Sequence, residues 1–256
     1  MNNRWITIWL NRPNSRNALS EKMIDELWEV CEAIAKNSSF RGLALRGMDN
    51  CFCAGADLKE FKSKFLAEDI SRDSIVKTSK NTAKLLKRIQ TMPQASIALV
   101  EGPAFAGGFG LVSCVDFVIA TQNSQFSISE TKIGLTPAQI APYVVEKIGK
   151  RLTKKLMLSG ITFDGNKARK FGLVDEVVKN HHALDRSFLE LQDTLKLNGP
   201  NATAITKDIL LSIDHIEPSQ RANFLANKFA DCIIGDEAQE GLKAFVEKRI
   251  PKWVDA

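Results

Sequence analysis

The chain has 256 residues, 44% of them hydrophobic and 25% charged, which excludes disordered, collagen-like and low-complexity classes. Its net charge is +5, from 35 Lys and Arg against 30 Asp and Glu, too weak a bias to announce a nucleic-acid binder but compatible with an anionic small ligand. The apolar runs fall short of the roughly 20 residues a membrane span needs, so no membrane partner is expected. Five cysteines without a paired metal-type spacing or a leader segment ahead of them read as reduced thiols of a cytoplasmic protein.

In chain order, Trp5-Ile6-Thr7-Ile8-Trp9-Leu10 reads as a strand, with β-branched and aromatic residues ahead of a loop at Asn11-Arg12-Pro13-Asn14. Ser20 then precedes apolar residues at helical spacing (Met23, Leu27, Val30, Ile34), which predicts an N-cap and a helix to about Ala35. Leu43-Ala44-Leu45-Arg46 is a second strand. Residues 51–58, Cys-Phe-Cys-Ala-Gly-Ala-Asp-Leu, are small and apolar where a surface loop is normally polar. An amphipathic helix is predicted from Ser71 to Gln90, with Ile75, Ala83, Leu86 and Ile89 on one side and Pro93 beyond its end. Ile97-Ala98-Leu99-Val100 and Phe117-Val118-Ile119-Ala120 are strands flanking a glycine- and alanine-rich stretch that opens a helix. After residue 140 the patterns are helical: 143–158, 164–171, 184–197, 200–212 and 217–248. Alternating strands and helices predict an α/β chain with largely parallel pairing, whose successive strand–strand–helix units could hide a diverged repeat.

Two stretches place small residues where backbone must approach something closely: Ala54-Gly55-Ala56-Asp57 and Ala104-Phe105-Ala106-Gly107-Gly108, each after a strand. Unpaired N–H groups at a helix start suit oxyanions, and two such loops could each give one N–H to a single oxygen. Tight helix–strand packing is the other reading of Gly-Gly. Glycine-rich dinucleotide, phosphate-loop and nucleophile-elbow motifs are missing; of the three histidines, His181, His182 and His215, the adjacent first two sit far from acidic or cysteine clusters and read as surface loop residues, so a histidine triad or zinc site is not expected.

Together, Asn11-Arg12-Pro13 with Arg16-Asn17-Ala18-Leu19-Ser20, Phe52 to Leu58, Glu101-Gly102-Pro103-Ala104 with Gly107-Gly108, Phe126 with Glu130, and Glu240-Gly241 through Pro251 resemble the crotonase (enoyl-CoA hydratase/isomerase) superfamily, in order and over almost the whole chain. The resemblance implies a spiral α/β acyl-CoA-binding core over residues 1–195. It also implies a helical oligomerisation region over 196–256 that builds a homotrimer or a hexamer of paired trimers. The substrate it implies is an acyl-CoA thioester, with no metal or redox cofactor. By position, the N–H groups of Ala56 and Gly107 polarise the thioester carbonyl and Glu130 is the catalytic carboxylate. Arg16, Ala18, Leu19, Ala54, Asp57, Leu58, Gly108, Gly110, Pro137, Tyr143, Phe229 and Lys248 are implied as substrate- or CoA-binding residues, Lys248 from a neighbouring subunit.

The family's hydratases carry two glutamates twenty positions apart. Here Gly110 stands in the first position and Glu130 lies twenty positions later. One carboxylate leaves two chemical readings: hydration with another group orienting the water, or isomerisation of a 3-enoyl-CoA by one base. The segments 101–107 and 129–145 resemble methylglutaconyl-CoA and isohexenylglutaconyl-CoA hydratases, of leucine and acyclic-terpene breakdown, which favours the hydratase. The second carboxylate of such substrates would suit a net-basic protein, and Gln139 and Tyr143 are candidates for lining the acyl end. A non-catalytic acyl-CoA binder is a further reading. Lys77, Lys80, Lys84 and Lys87 share one helical face with Arg88 beside them; with no aromatic interleaved, they read as a solvated face, and no RNA partner is expected.

Overall fold

A computed structural model describes residues 4–65 and 71–255. In chain order its elements are β1 (Trp5–Leu10), α1 (Glu21–Ala35), β2 (Gly42–Gly47), α2 (Leu58–Phe65), α3 (Arg72–Thr91), β3 (Ala95–Val100), β4 (Pro103–Phe105), α4 (Gly107–Cys114), β5 (Phe117–Thr121) and β6 (Gln125–Ser127). There follow α5 (Ala141–Ile148), α6 (Lys150–Ser159), β7 (Phe163–Asp164), α7 (Gly165–Lys170), β8 (Glu176–Val178), α8 (His181–Lys196), α9 (Pro200–Ser212), α10 (Arg221–Ile233), α11 (Asp236–Val246) and α12 (Lys252–Asp255).

Five strands form one parallel sheet in the order β1-β2-β3-β5-β8, while β4 and β6 pair in parallel in a second, small sheet that β7 closes antiparallel. The turns beginning with β3 and β5 thus each give one strand to each sheet before the next helix. Single bridges extend the small sheet, Cys53 to Ala104 and Leu19 to Ala56, so the first turns of the spiral contribute residues where no strand is long enough to form. β2 and β3 are buried along their whole length, as parallel strands covered on both faces must be. Phe52, Leu86, Ile89, Phe109 and Phe126 fill the core on one side, and Leu184 of α8 closes over Ala44, Ile97 and Ile119 on the other.

Ser20 caps α1 by accepting from Met23 N–H, as its place in the sequence predicts, and Ser71, read only as the start of a helix, caps α3 by accepting from Ser74 N–H. Three readings need correction. Residues 143–158 form two helices, because Gly149 at φ +77° turns the chain between α5 and α6. Residues 217–248 likewise break into α10 and α11 around Gly235. His181 and His182 open α8, behind the Asn180 cap, and are not in a loop. Among the described residues, no helix is long and apolar enough to cross a membrane.

Candidate active site

The loop before α2 and the start of α4 meet at the small sheet. Leu19 N–H donates to Gly55 O (2.7 Å) and Asp57 N–H donates to Leu19 O (3.1 Å), so the intervening Ala56 turns its own N–H away from Leu19. Gly55 makes this turn at φ +94°; a Cβ there would lie 2.7 Å from Ala106 Cβ and 3.2 Å from Gly107 N. On the facing side Ala106 is held at φ 50°, ψ −116°, strained for a residue with a Cβ, with its N–H donating to Ser127 O (2.9 Å). That kink starts α4 at Gly107, whose N–H is one of the helix's unpaired donors. A Cβ at Gly107 would stand 3.8 Å from Ala56 N. Among the described residues neither N–H meets an acceptor. The pair has the character of an oxyanion hole: two fixed backbone donors from different turns of the spiral.

Both open into a cavity of about 300 Å³ that also holds Glu130. Glu130 begins a 3-10 turn, Glu130–Ile133, after β6. Its Oε2 is buried with no hydrogen-bond partner among the described residues. Burial raises its pKa above the usual glutamate value, partly offset by the backbone N–H groups of Glu130 and Ser129. A desolvated carboxyl sharing one cavity with two oxyanion donors is equipped to take and return a proton beside a polarised carbonyl. The remaining wall is largely apolar (Leu19, Ile24, Ile75, Leu135, Pro137, Ile140), with Thr78, Ser79 and Thr82 of α3, Gln139, Glu21 and Glu60 supplying polar atoms. Thr78 Oγ1 donates to Glu21 Oε1 (3.2 Å), and Gln139 Nε2 donates to Ser79 Oγ.

Of the residues singled out from sequence, the cavity gathers Leu19, Ala56, Asp57, Gly107, Glu130 and Pro137, together with Gln139. Arg16, Ala18 and Ala54 lie on the two loops leading to it. Arg16 is exposed, and its carbonyl accepts from Ala54 N–H (3.0 Å). Several assignments change. Asp57 lines the cavity, but its carboxylate is engaged by Arg12 (2.8 Å) and by the N–H groups of Lys59 and Glu60, so it caps α2 and anchors the loop. The Arg12 guanidinium holds its pKa below the usual aspartate value. Gly108 is a packing glycine, since a Cβ would lie 2.3 Å from Cys53 O. Gly110 is buried behind Ile140 and does not line the cavity. Tyr143 is in the core, with its hydroxyl donating to Ala83 O (3.3 Å), so it does not line the acyl end. Leu58 is largely exposed at the start of α2, and Phe229 and Lys248 are exposed on the C-terminal helical region, outside this chain's cavity.

Sequence reasoning missed Ile140, the hydroxyl row Thr78, Ser79, Thr82, and the organisers Arg12 and Asn17. The hydroxyls at i, i+1 and i+4 within a lysine-rich helix were the available signal for the row. Fully buried Asn17 accepts from Arg12 N–H and donates to Met48 O and Cys51 O, fixing the first loop. The lysine row on α3 is partly spent on α1: Lys84 lies 3.8 Å from the centroid of the Trp28 ring, and Arg88 pairs with Glu32.

The family model for enoyl-CoA hydratase/isomerase matches residues 1–256. Enoyl-CoA hydratase EchA19 of Mycobacterium tuberculosis is 34% identical over 97% of this chain and 92% of its own length. Mevalonyl-coenzyme A hydratase sidH of Aspergillus fumigatus is 30% identical over 97% and 90%. Among solved structures, Pseudomonas aeruginosa AtuE superposes with a TM-score of 0.94 at 39% identity, covering 98% of this chain and 96% of that one.

Proposed function

Because the chain belongs to the enoyl-CoA hydratase/isomerase family, we propose that it is a hydratase, adding water to a 2-enoyl-CoA thioester with Glu130 as its single catalytic carboxylate. The observation that carries this is the buried, unpartnered Glu130 Oε2 in one cavity with the N–H groups of Ala56 and Gly107. The thioester oxygen accepts from both N–H groups, so electron density leaves the double bond toward it as water attacks C3. Glu130 takes a proton from that water and returns it to C2, so that the water's O–H and H are both placed on the substrate, the carboxylate is regenerated and a 3-hydroxyacyl thioester is left. Each oxyanion donor contributes about 2.7–4 kcal/mol to such a step. The proton transfers and the polarisation use only these groups, so the proposed reaction takes no metal or redox cofactor.

The acyl group we assign is of methylglutaconyl type. Its support is the resemblance of segments 101–107 and 129–145, together with the Ser79 and Thr82 hydroxyls and the second amide hydrogen of Gln139, which a second substrate carboxylate could meet; one relative is itself named for mevalonyl-coenzyme A, another acyl thioester. Isomerisation of a 3-enoyl-CoA is the second reading, favoured by Gly110, which brings no carboxylate to the site.

CoA is proposed to lie along Arg16, Ala18, Leu19 and Ala54, with Phe229 and Lys248 added by a neighbouring subunit. The apolar side chains of Leu210, Phe229, Phe245, Val246 and Ile250, all more than half exposed, support assembly of residues 196–256 into a homotrimer or a dimer of trimers. Free cysteines support a cytoplasmic location. The test is the ultraviolet absorbance of the conjugated thioester with 3-methylglutaconyl-CoA and with 3-hexenoyl-CoA, using Glu130→Gln as control. Falling absorbance on the first, lost in the variant, is the result expected. Rising absorbance on the second alone makes it an isomerase, and silence on both with retained binding makes it an acyl-CoA binder.

A further inference from the structure

Gly110 lies inside α4, fully buried, where glycine is a poor helix former. A close approach accounts for it: a Cβ there would stand 2.2 Å from Ile140 Cγ2 and 3.0 Å from Ile140 Cβ. Ile140 is 3% exposed, β-branched and so stiff at χ1, and its carbonyl accepts the first helical bond of α5 from Val144 N–H (3.1 Å). It has no easy way to swing aside. Gly107 and Gly110 are three apart on α4 and therefore share a face. The space over Gly110 is thus beside the oxyanion pair, and Ile140, which lines the cavity, fills it.

We propose that Ile140, seated in the space Gly110 leaves open, is the specificity-determining wall of the acyl pocket. It sets a branched apolar surface beside the reacting carbons and limits the substituent those carbons can carry. Gly110 and Ile140 are then a complementary pair: enlarging the first requires trimming the second. The proposal rests on the acyl-CoA reading of the cavity.

The test compares the wild type with Gly110→Ala, Ile140→Ala and the double variant, by thermal melting and by calorimetric affinity for butanoyl-CoA and 3-methylbutanoyl-CoA. Ratios of kcat/KM for crotonyl-CoA and 3-methylcrotonyl-CoA are measured alongside. Gly110→Ala is expected to lower Tm by roughly 3–10 °C, and adding Ile140→Ala to restore at least half of that loss. Ile140→Ala alone is expected to raise the branched-to-straight ratio by about tenfold or more. Ile140→Val gives the same sign with a smaller change should the alanine variant fail to fold. A Gly110→Ala protein with wild-type Tm, or an Ile140 variant that weakens both thioesters equally, overturns the proposal. Absence of turnover in the wild type would sink the hydratase reading while leaving the melting and affinity arms to judge the wall, and absence of thioester binding would overturn both.

Discussion

Replacing Gly108 by alanine measures how firmly the seating of α4 holds the Gly107 N–H. The new Cβ would fall 2.3 Å from Cys53 O and 2.8 Å from Cys53 Cβ. Cys53 cannot yield, because its O accepts from Phe105 N–H (2.9 Å) and its N–H donates to Pro103 O (3.0 Å). An ordinary carbon–oxygen contact is roughly 3.3 Å, so α4 must withdraw by about 1 Å. That movement carries Gly107 away from Ala56, three residues beyond Cys53. A misplacement of about 1 Å at a reacting centre costs on the order of 10²-fold in rate. Stability changes less: overpacking costs about 1–3 kcal/mol, and removing glycine from a helix returns about 0.5–1. The expected variant is folded, with Tm lowered by several degrees and kcat lowered about 10²-fold. Turnover of a 2-enoyl-CoA, followed by thioester absorbance well below the melting temperature, checks this. A lowered Tm with kcat within threefold of wild type would refute the coupling between the packing of α4 and the donor pair.

Glu130→Gln is expected to lower kcat by about 10²–10⁴-fold and to raise Tm at neutral pH. Because burial raises the folded pKa, it is the ionised form that the fold disfavours; the variant's gain is full above the folded pKa and vanishes below the unfolded value of roughly 4.3. Melts from pH 4 to 8 test this, and a pH-independent difference contradicts it. Asp57→Asn has the opposite pH dependence: the Arg12 pair stabilises the fold above an unfolded pKa of roughly 3.9 and is lost as pH falls through the lower folded value, so the Tm deficit of the variant should be largest near neutrality and shrink in acid. Ala106→Gly releases a backbone conformation costing about 1–3 kcal/mol, less the added freedom of the unfolded chain, and should raise Tm by a few degrees. A fall in Tm there would mean that the methyl's packing against Gly55 outweighs the strain.

What could be read ahead of the structure was local. The Ser20 cap and the periodicity of the helices over 20–35 and 71–90 need only neighbouring residues, and they place α1 and α3 to within a residue or two. The paired small-residue loops announce a close approach, and Ala56 and Gly107 do face each other. What escaped depends on distant contacts. β4, β6 and β7 have three, three and two residues, too few to show any period. Gly108 and Gly110 look alike in the sequence, yet one avoids the Cys53 backbone and the other the Ile140 side chain, thirty positions away. Tyr143 sits within a site-like motif but spends its hydroxyl on Ala83.

These short strands also explain why the donor pair can be precise. Ala56 is set by a bridge to Leu19, and the kink at Ala106 follows directly on β4, which is pinned on one side by Cys53 and on the other by β6. Each N–H is therefore positioned by backbone hydrogen bonds to two other turns of the spiral, with no long side chain in between. Backbone held this closely leaves no room for Cβ atoms, so the glycines at 55 and 108 are conditions of the geometry. Chemical identity then rests on the few side chains that reach the cavity. Glu130 brings a half-buried carboxyl whose Oε2 has no hydrogen-bond partner among the described residues, and Ile140 shapes the space beside it. On this arrangement, substitutions along the small sheet should change rate without changing which acyl chain is taken, whereas substitutions at residue 140 should do the reverse. Separating kcat from the branched-to-straight preference across both sets of variants distinguishes the two, and a small-sheet variant that switched preference would show that backbone and side chains do not divide the work in this way.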